Sequence, residues 1–222
     1  MSLVSQNTSA LIAAFGAGSF LSLLSVVNPP ATLPMFVSLA QGLDERERQR
    51  MARRACVYCF FIMAVSLFAG GLILEAFGIS YGALRVAGGL ALLVLGFGLM
   101  YERGPAHSGK EEGLPPLTNP TFFPLAMPGI TGPGTIAVVI GISTEMHELP
   151  GLVNQALAHV FTLAAMAAVC LVEWLLLRSA RRVTERLGTV GIEVVTRLSG
   201  FLLICVGVQF IASGVRTLIA SG

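Results

Sequence analysis

Residues 28 to 34 read Asn28-Pro29-Pro30-Ala31-Thr32-Leu33-Pro34 and stand inside an apolar run that extends from 11 to 40. A continuous helix of that length, about 30 residues, would measure about 45 Å at 1.5 Å per residue, well beyond a hydrocarbon core of about 30 Å. The run therefore needs an interruption, and the prolines supply it. Each lacks an N–H and disfavours helical geometry in the residue before it, which leaves carbonyls without partners. A second interruption, Met127-Pro128-Gly129-Ile130-Thr131-Gly132-Pro133-Gly134, falls in another apolar run at 122–142. Pro29, Thr32 and Pro34 recur there as Pro128, Thr131 and Pro133, each displaced by 99 positions.

Working outward, further apolar stretches lie at 55–77, 83–101, 153–177 and 194–219, giving six in all. The chain has 222 residues, 55% hydrophobic and only 12% charged, with a mean hydropathy of +0.80. Soluble domains carry about 25% charged residues. Six spans of about 20 residues would absorb nearly all the apolar positions, so little remains for a soluble domain. Eleven of the fourteen basic residues fall in every second connection: Arg46, Arg48, Arg50, Arg53 and Arg54; Arg103 and Lys110; Arg178, Arg181, Arg182 and Arg186. Six crossings with both termini outside give that alternation under the positive-inside rule. Met1 to Ala10 contain no Lys or Arg, so the first apolar run is expected to be retained as a span rather than removed as a signal.

A second internal match joins Arg85, Gly88 and Leu90 to Arg197, Gly200 and Leu202, displaced by 112. Each half then reads as one broken helix followed by two ordinary ones. With three spans per half, the second half enters the membrane from the opposite face. The expected fold is an all-α membrane protein forming a single domain. Its six transmembrane helices make two inverted three-helix repeats, 9–102 and 118–219, joined by a linker at 103–117, with helices 1 and 4 broken or re-entrant. Inverted repeats of this kind are a transporter architecture, with the site near mid-bilayer between discontinuous helices.

Unpaired backbone persists in lipid only where it faces protein, water or a ligand. The breaks are thus the candidate binding site. A half-helix starting after a break carries a partial positive charge suited to a carboxylate, and carbonyls ending the preceding half accept from an ammonium, so a small zwitterion suits both. The candidate substrate contacts are Asn28, Pro29, Thr32 and Pro34 at the first break and Pro128, Gly129, Thr131, Gly132, Pro133, Gly134 and Thr135 at the second. Helix capping and close packing are the plainer roles for the same residues. Glu75 with Arg85, and Glu173 with Arg197, are expected as outer and inner gating pairs, against the simpler reading of snorkelling anchors. Ser22, Ser25, His159, Gln209 and Ser213 are expected to hydrogen-bond between helices.

Other chemistry is not indicated. Cys56, Cys59, Cys170 and Cys205 lie in apolar segments and behave as small hydrophobes, with no second pair to complete a metal site for the C-x-x-C. His147-Glu148 begins a zinc-protease motif, but Gly151 stands where the second His belongs. No nucleophile elbow or phosphate loop is present, and a net charge of +2 gives no reason to expect nucleic acid. No cofactor or metal and no enzymatic activity are expected.

Four ordered motifs now carry a resemblance: Asn28-Pro29-Pro30-Ala31-Thr32-Leu33-Pro34-Met35-Phe36; Gly78-Ile79-Ser80 with Arg85-Val86-Ala87-Gly88-Gly89; Pro124-Leu125-Ala126-Met127-Pro128 with Gly132-Pro133-Gly134; and Arg197-Leu198-Ser199-Gly200. Together they resemble the MarC family of bacterial and archaeal inner-membrane proteins, which includes SnatA-like small neutral amino acid transporters. The resemblance implies a six-span protein of the cytoplasmic membrane and, for some members, amino acid transport. One position departs: the family's usual glycine in N-P-x-G-x-x-P is Ala31 here, and the extra methyl narrows the approach to the backbone. The expected function is secondary transport of a small neutral amino acid such as glycine or alanine by alternating access, with sodium or a proton as coupling ion. A channel, or a non-transporting partner of other membrane proteins, is the rival. Oligomeric state, direction of transport and any role in antibiotic resistance are not legible in the sequence.

Overall fold

The computed structural model describes residues 2–101, 119–147, 149 and 151–221. The expected linker 103–117 with Arg103 and Lys110, together with Glu148 and Pro150, lies outside the described residues. Every described element is helical: α1 (Ser2–Val27), α2 (Pro29–Leu39), α3 (Glu45–Ala76), α4 (Tyr81–Tyr101), a wide-turned segment Thr121–Ile130, α5 (Pro133–His147), α6 (Leu152–Arg178) and α7 (Ala180–Ser221). Among them, α3, α4, α6 and the Val190–Ala220 part of α7 are each long and apolar enough to cross a bilayer. Two bent pairs, Phe15–Val27 with Pro29–Leu39 and Thr121–Ile130 with Pro133–Met146, pass the same test, so there are six spans when each pair is one. Their bends of 42° and 62° fall well short of a reversal. Each second half-helix points onward, as in a discontinuous span rather than a hairpin.

The first break is one residue wide. Asn28 sits in the left-handed region at φ 47°, ψ 67°, which Asn tolerates better than most residues. Pro29 and Pro30 do not prevent α2 but open it, because the first helical N–H groups have no intrahelical acceptor in any case. Upstream the effect is larger. Pro29 and Pro30 have no N–H to give the Ser25 and Val26 carbonyls, and the Ala31 N–H goes to the Asn28 carbonyl at 2.9 Å instead of to Val27. The second break is broader. Phe123 and Met127 are extended inside the Thr121–Ile130 segment, and the Thr131 N–H reaches back five residues to the Ala126 carbonyl at 2.9 Å.

Two expected loops prove to be helix. Arg46 to Arg54 form the first turns of α3, which opens at a capping box: the Glu47 N–H donates to the Asp44 carboxylate at 2.6 Å, and the Asp44 N–H donates to Glu47 at 3.2 Å. A capping box and good helix formers outweigh the polarity that suggested a loop. At 32 residues, or about 48 Å, α3 must project from the membrane at its basic end. Arg181 to Arg186 likewise lie in the first part of α7, which bends at Gly188 (φ 64°) before the span begins.

The halves pack by exchanging partners. α3 contacts both parts of the second bent span, and α6 contacts both parts of the first. α4 lies against α5, while α7 lies against α2. The most extensive contact is between α4 and α7, where Gly82, Gly89 and Gly96 oppose Gly214, Gly207 and Gly200, each lying against the facing backbone carbonyl. Such seven-residue spacing of small residues lets two backbones touch, the way membrane helices associate where lipid offers no hydrophobic driving force. Large apolar side chains face outward along the helices, among them Leu72, Phe77, Val94 and Val160. A surface so apolar is stable against lipid and not against water.

Candidate functional site

A cavity of about 920 Å³ lies between the two breaks. From the first break it is lined by Asn28, Ala31, Thr32 and Pro34. From the second it is lined by Pro128, Gly129, Gly132, Gly134 and Thr135, with Leu92 and Leu95 of α4 beside them. Pro29 and Thr131 are buried outside its wall, and Pro133 is exposed elsewhere. The structure thus brings most of the expected contacts to one space. It buries the Thr131 hydroxyl completely, beside the Cys59 thiol of α3. The matched threonines differ in setting: Thr32 is inside α2, whereas Thr131 stands in the gap before α5.

The two breaks also differ in what they offer a ligand. In the first turn of α5, Pro133 has no N–H, and the Gly134 and Thr135 N–H groups have no helical acceptor; both residues border the cavity. That end carries the donors and the positive end of a helix dipole. At the first break the prolines have removed the donors, and the free groups are carbonyls around Val26 and Val27, which also line the cavity. A zwitterion would therefore place its carboxylate at the second break and its ammonium at the first, whereas the sequence assigned both roles to each break. The glycines owe their identity largely to packing. A methyl at Gly129 would collide with the Met35 side chain of α2, and one at Gly134 with Leu92.

Asn28 binds the break to the rest of the molecule. Its side-chain amide donates to the Ser199 carbonyl of α7 at 3.1 Å, and the residue is 7% exposed. Thr32 Oγ1 lies 2.8 Å from the Pro29 carbonyl and 2.5 Å from Glu173 Oε1 on α6.

The gating pairs are not those expected. Glu75 is exposed on the outward face of α3, and among the described residues no ion pair includes it. Arg85 turns instead to α5 and α7: its guanidinium lies 3.2 Å from Glu145, donates to Ser213 Oγ at 2.8 Å, and covers the Tyr81 ring at 4.3 Å. Mirrored positions in the two halves suggested Glu75, but a tight turn between antiparallel helices does not put both residues on one face. Arg197 pairs with Glu193 one turn earlier on its own helix at 2.6 Å. It does not pair with Glu173, which is 1% exposed and held by Thr32. An exposed pair within one helix contributes little to stability.

These contacts define two ends. Opposite the basic helix ends, the Arg85–Glu145–Ser213 cluster ties α4, α5 and α7 together. Toward the basic ends the cavity continues past Ser38, Gln41, Glu193, Thr196 and Arg197. The cavity wall thus reaches exposed residues, Gln41, Glu193 and Arg197, on the arginine-rich side, and Arg85, Glu145 and Ser213 lie outside it. Glu145 was missed in the sequence. Its one signal was an acidic residue in the last turn of an apolar helix. The remaining polar residues vary in use. Ser213 does bond between helices, whereas Ser25 donates to its own helix at the Leu21 carbonyl and His159 meets the Gln155 carbonyl and stacks on Phe68 of α3. Gln209 and Ser22 are exposed. Cys56 and Cys59 are buried free thiols, and among the described residues no group of His, Cys, Asp and Glu is placed to hold a metal ion.

Comparison with known proteins finds the family described as MarC family integral membrane protein over residues 14–219. An inner membrane protein MarC of Salmonella typhimurium is 41% identical over 219 residues, covering 94% of this chain and 97% of that one. The protein of the same name from Citrobacter koseri shows the same identity and coverage. That of Escherichia coli is 38% identical over 216 residues. No solved structure matches the chain.

Proposed function

The chain belongs to the MarC family of integral membrane proteins, and from that premise we propose that it is a secondary transporter of small neutral amino acids, such as glycine or alanine, working by alternating access in the inner membrane. The observation that carries the reading is the cavity between the breaks, whose wall reaches exposed residues on the arginine-rich side; in this reading the contacts of Arg85 with Glu145 and Ser213, at the opposite end of the spans, hold the far end shut. In this reading the conformation is the inward-open one, the basic ends being cytoplasmic and both termini outside. The closed end argues against a continuous pore. The cavity at the breaks, with Asn28, Thr32 and Thr135 set in a largely apolar wall, argues against a purely structural partner, which would fill that space with packing. The exchange of packing partners between halves supports an inverted pair, because rocking one half against the other would close the open end and open the closed one.

Substrate size follows from the backbone groups and not from the whole cavity, whose 920 Å³ lies in the range of pockets that hold drug-sized ligands. Carboxylate and ammonium are recognised at the break, and Ala31 limits the room beside them. The wider volume serves as the path to the cytoplasm. The test is counterflow in proteoliposomes loaded with unlabelled alanine. Labelled alanine is expected to accumulate transiently, glycine to compete, and glutamate and lysine not to compete, since neither extra charge has a partner at the breaks. Folded protein that exchanges no small neutral amino acid would overturn the reading.

A further inference from the structure

Thr32 presents a counting problem whose solution identifies a proton site. Its hydroxyl has one hydrogen, yet Oγ1 lies within bonding distance of two oxygens, the Pro29 carbonyl at 2.8 Å and Glu173 Oε1 at 2.5 Å. If Glu173 is ionised, all three oxygens share a single hydrogen and one contact is repulsive. Both contacts are satisfied when the carboxyl supplies the second hydrogen, donating to Thr32 while Thr32 donates to Pro29. A distance of 2.5 Å suits a short O–H···O bond. The surroundings agree. Glu173 is 1% exposed, and its Oε2 has no hydrogen-bond partner among the described residues. The titratable groups facing it are the thiols of Cys56 and Cys59 on α3 and Cys170 on its own helix. No Lys, Arg or His among the described residues forms an ion pair with it. A buried carboxylate with no cation beside it is costly, whereas a carboxylic acid with one good partner is not.

We propose that the Glu173 carboxyl is a proton-binding site, loaded in this conformation, and that Thr32 connects it to the cavity. On release the O–H bond of Glu173 breaks and the proton passes to water. The Thr32 hydroxyl then turns to the carboxylate, and the Pro29 carbonyl at the first break loses its donor. Proton occupancy is thereby tied to the shape of the break. Glu173 can give up its proton only in a conformation that hydrates it. As the coupling ion of the transporter, the proton rests on the transport reading; as a bound proton, it does not.

Infrared spectroscopy of the full chain in lipid nanodiscs at neutral pH separates the two. The wild type is expected to show a carboxylic C=O stretching band that is missing in Glu173→Gln and retained in the exposed control Glu185→Gln. In Thr32→Val the band should move to higher wavenumber, as the acid loses its acceptor. No such band in the wild type, or an unchanged band in Glu173→Gln, would overturn the proton site. In proteoliposomes a pH gradient of about one unit drives about tenfold accumulation at one proton per substrate. Glu173→Gln should lose that accumulation while still exchanging alanine. Wild-type flux that ignores the pH gradient and follows sodium would overturn the coupling role. A Glu173 band without amino acid flux in any variant would sink the transport reading and leave the proton site standing.

Discussion

Replacing Asn28 with alanine is expected to destabilise the protein by about 2–5 kcal/mol, the sum of two separable effects. Alanine in the left-handed region costs about 1–2 kcal/mol relative to a relaxed conformation, and φ at this position is 47°. Loss of the amide strands the Ser199 carbonyl, with a penalty of about 1–3 kcal/mol for a buried group; the bond it loses spans the first break and α7 at 3.1 Å. Asn28→Gly isolates the second effect, since glycine adopts the conformation freely. It should therefore recover the smaller part of the loss and leave the larger. Thermal unfolding followed by the single tryptophan, Trp174, reads both variants. Equal stability of Asn28→Ala and the wild type would mean that the break is held by something other than this residue.

The second large effect belongs to the contact between α4 and α7. A methyl at Gly89 would stand 2.6 Å from the Gly207 carbonyl oxygen, and a methyl at Gly207 would stand 2.8 Å from that of Gly89. The obstruction is backbone in both directions, so no side chain can rotate to relieve it. Gly89→Ala should lower stability by about 1–3 kcal/mol, the usual range for overpacking. Gly89→Leu should leave no monodisperse protein after extraction, because the two helices can no longer meet. Gly71, which has open space where its methyl would go, should accept alanine or leucine without loss. Gel filtration of the four variants distinguishes these outcomes, and tolerance of Gly89→Leu would show that the interface is not the seam described.

How much of this was legible in the sequence differs between backbone and side chains. Pro29, Pro128 and Pro133 announce where the spans break, because proline acts on its own neighbours and needs no tertiary context, whereas Pro34 is carried inside α2. The apolar runs gave the spacing of the spans and the alternation of arginines their expected orientation, but polarity alone could not distinguish a loop from a helix projecting into water, and Arg46 to Arg54 went the second way. Side-chain partners were harder. Arg85 was assigned to Glu75 because the two pairs occupy mirrored places in the halves, whereas the fold delivers Glu145 from a helix 60 positions away. Glu173 was read as half of an ion pair because a charge in lipid asks for an opposite charge. It found a hydroxyl instead, which points to a proton as its neutraliser. The prolines of the two breaks look alike in sequence, yet only the second offers free N–H groups, since two consecutive prolines open the first.

Alternating access is tested most directly by fastening the closed end. With Arg85→Cys and Glu145→Cys introduced together and the exposed Cys205 replaced by serine, a reducible bis-thiosulfonate linker can join α4 to α5 where the native ion pair now does. Linked protein is expected to bind alanine still, seen as a thermal shift, while its counterflow falls to the leak of empty liposomes and returns on reduction. Undiminished flux through linked protein would contradict alternating access.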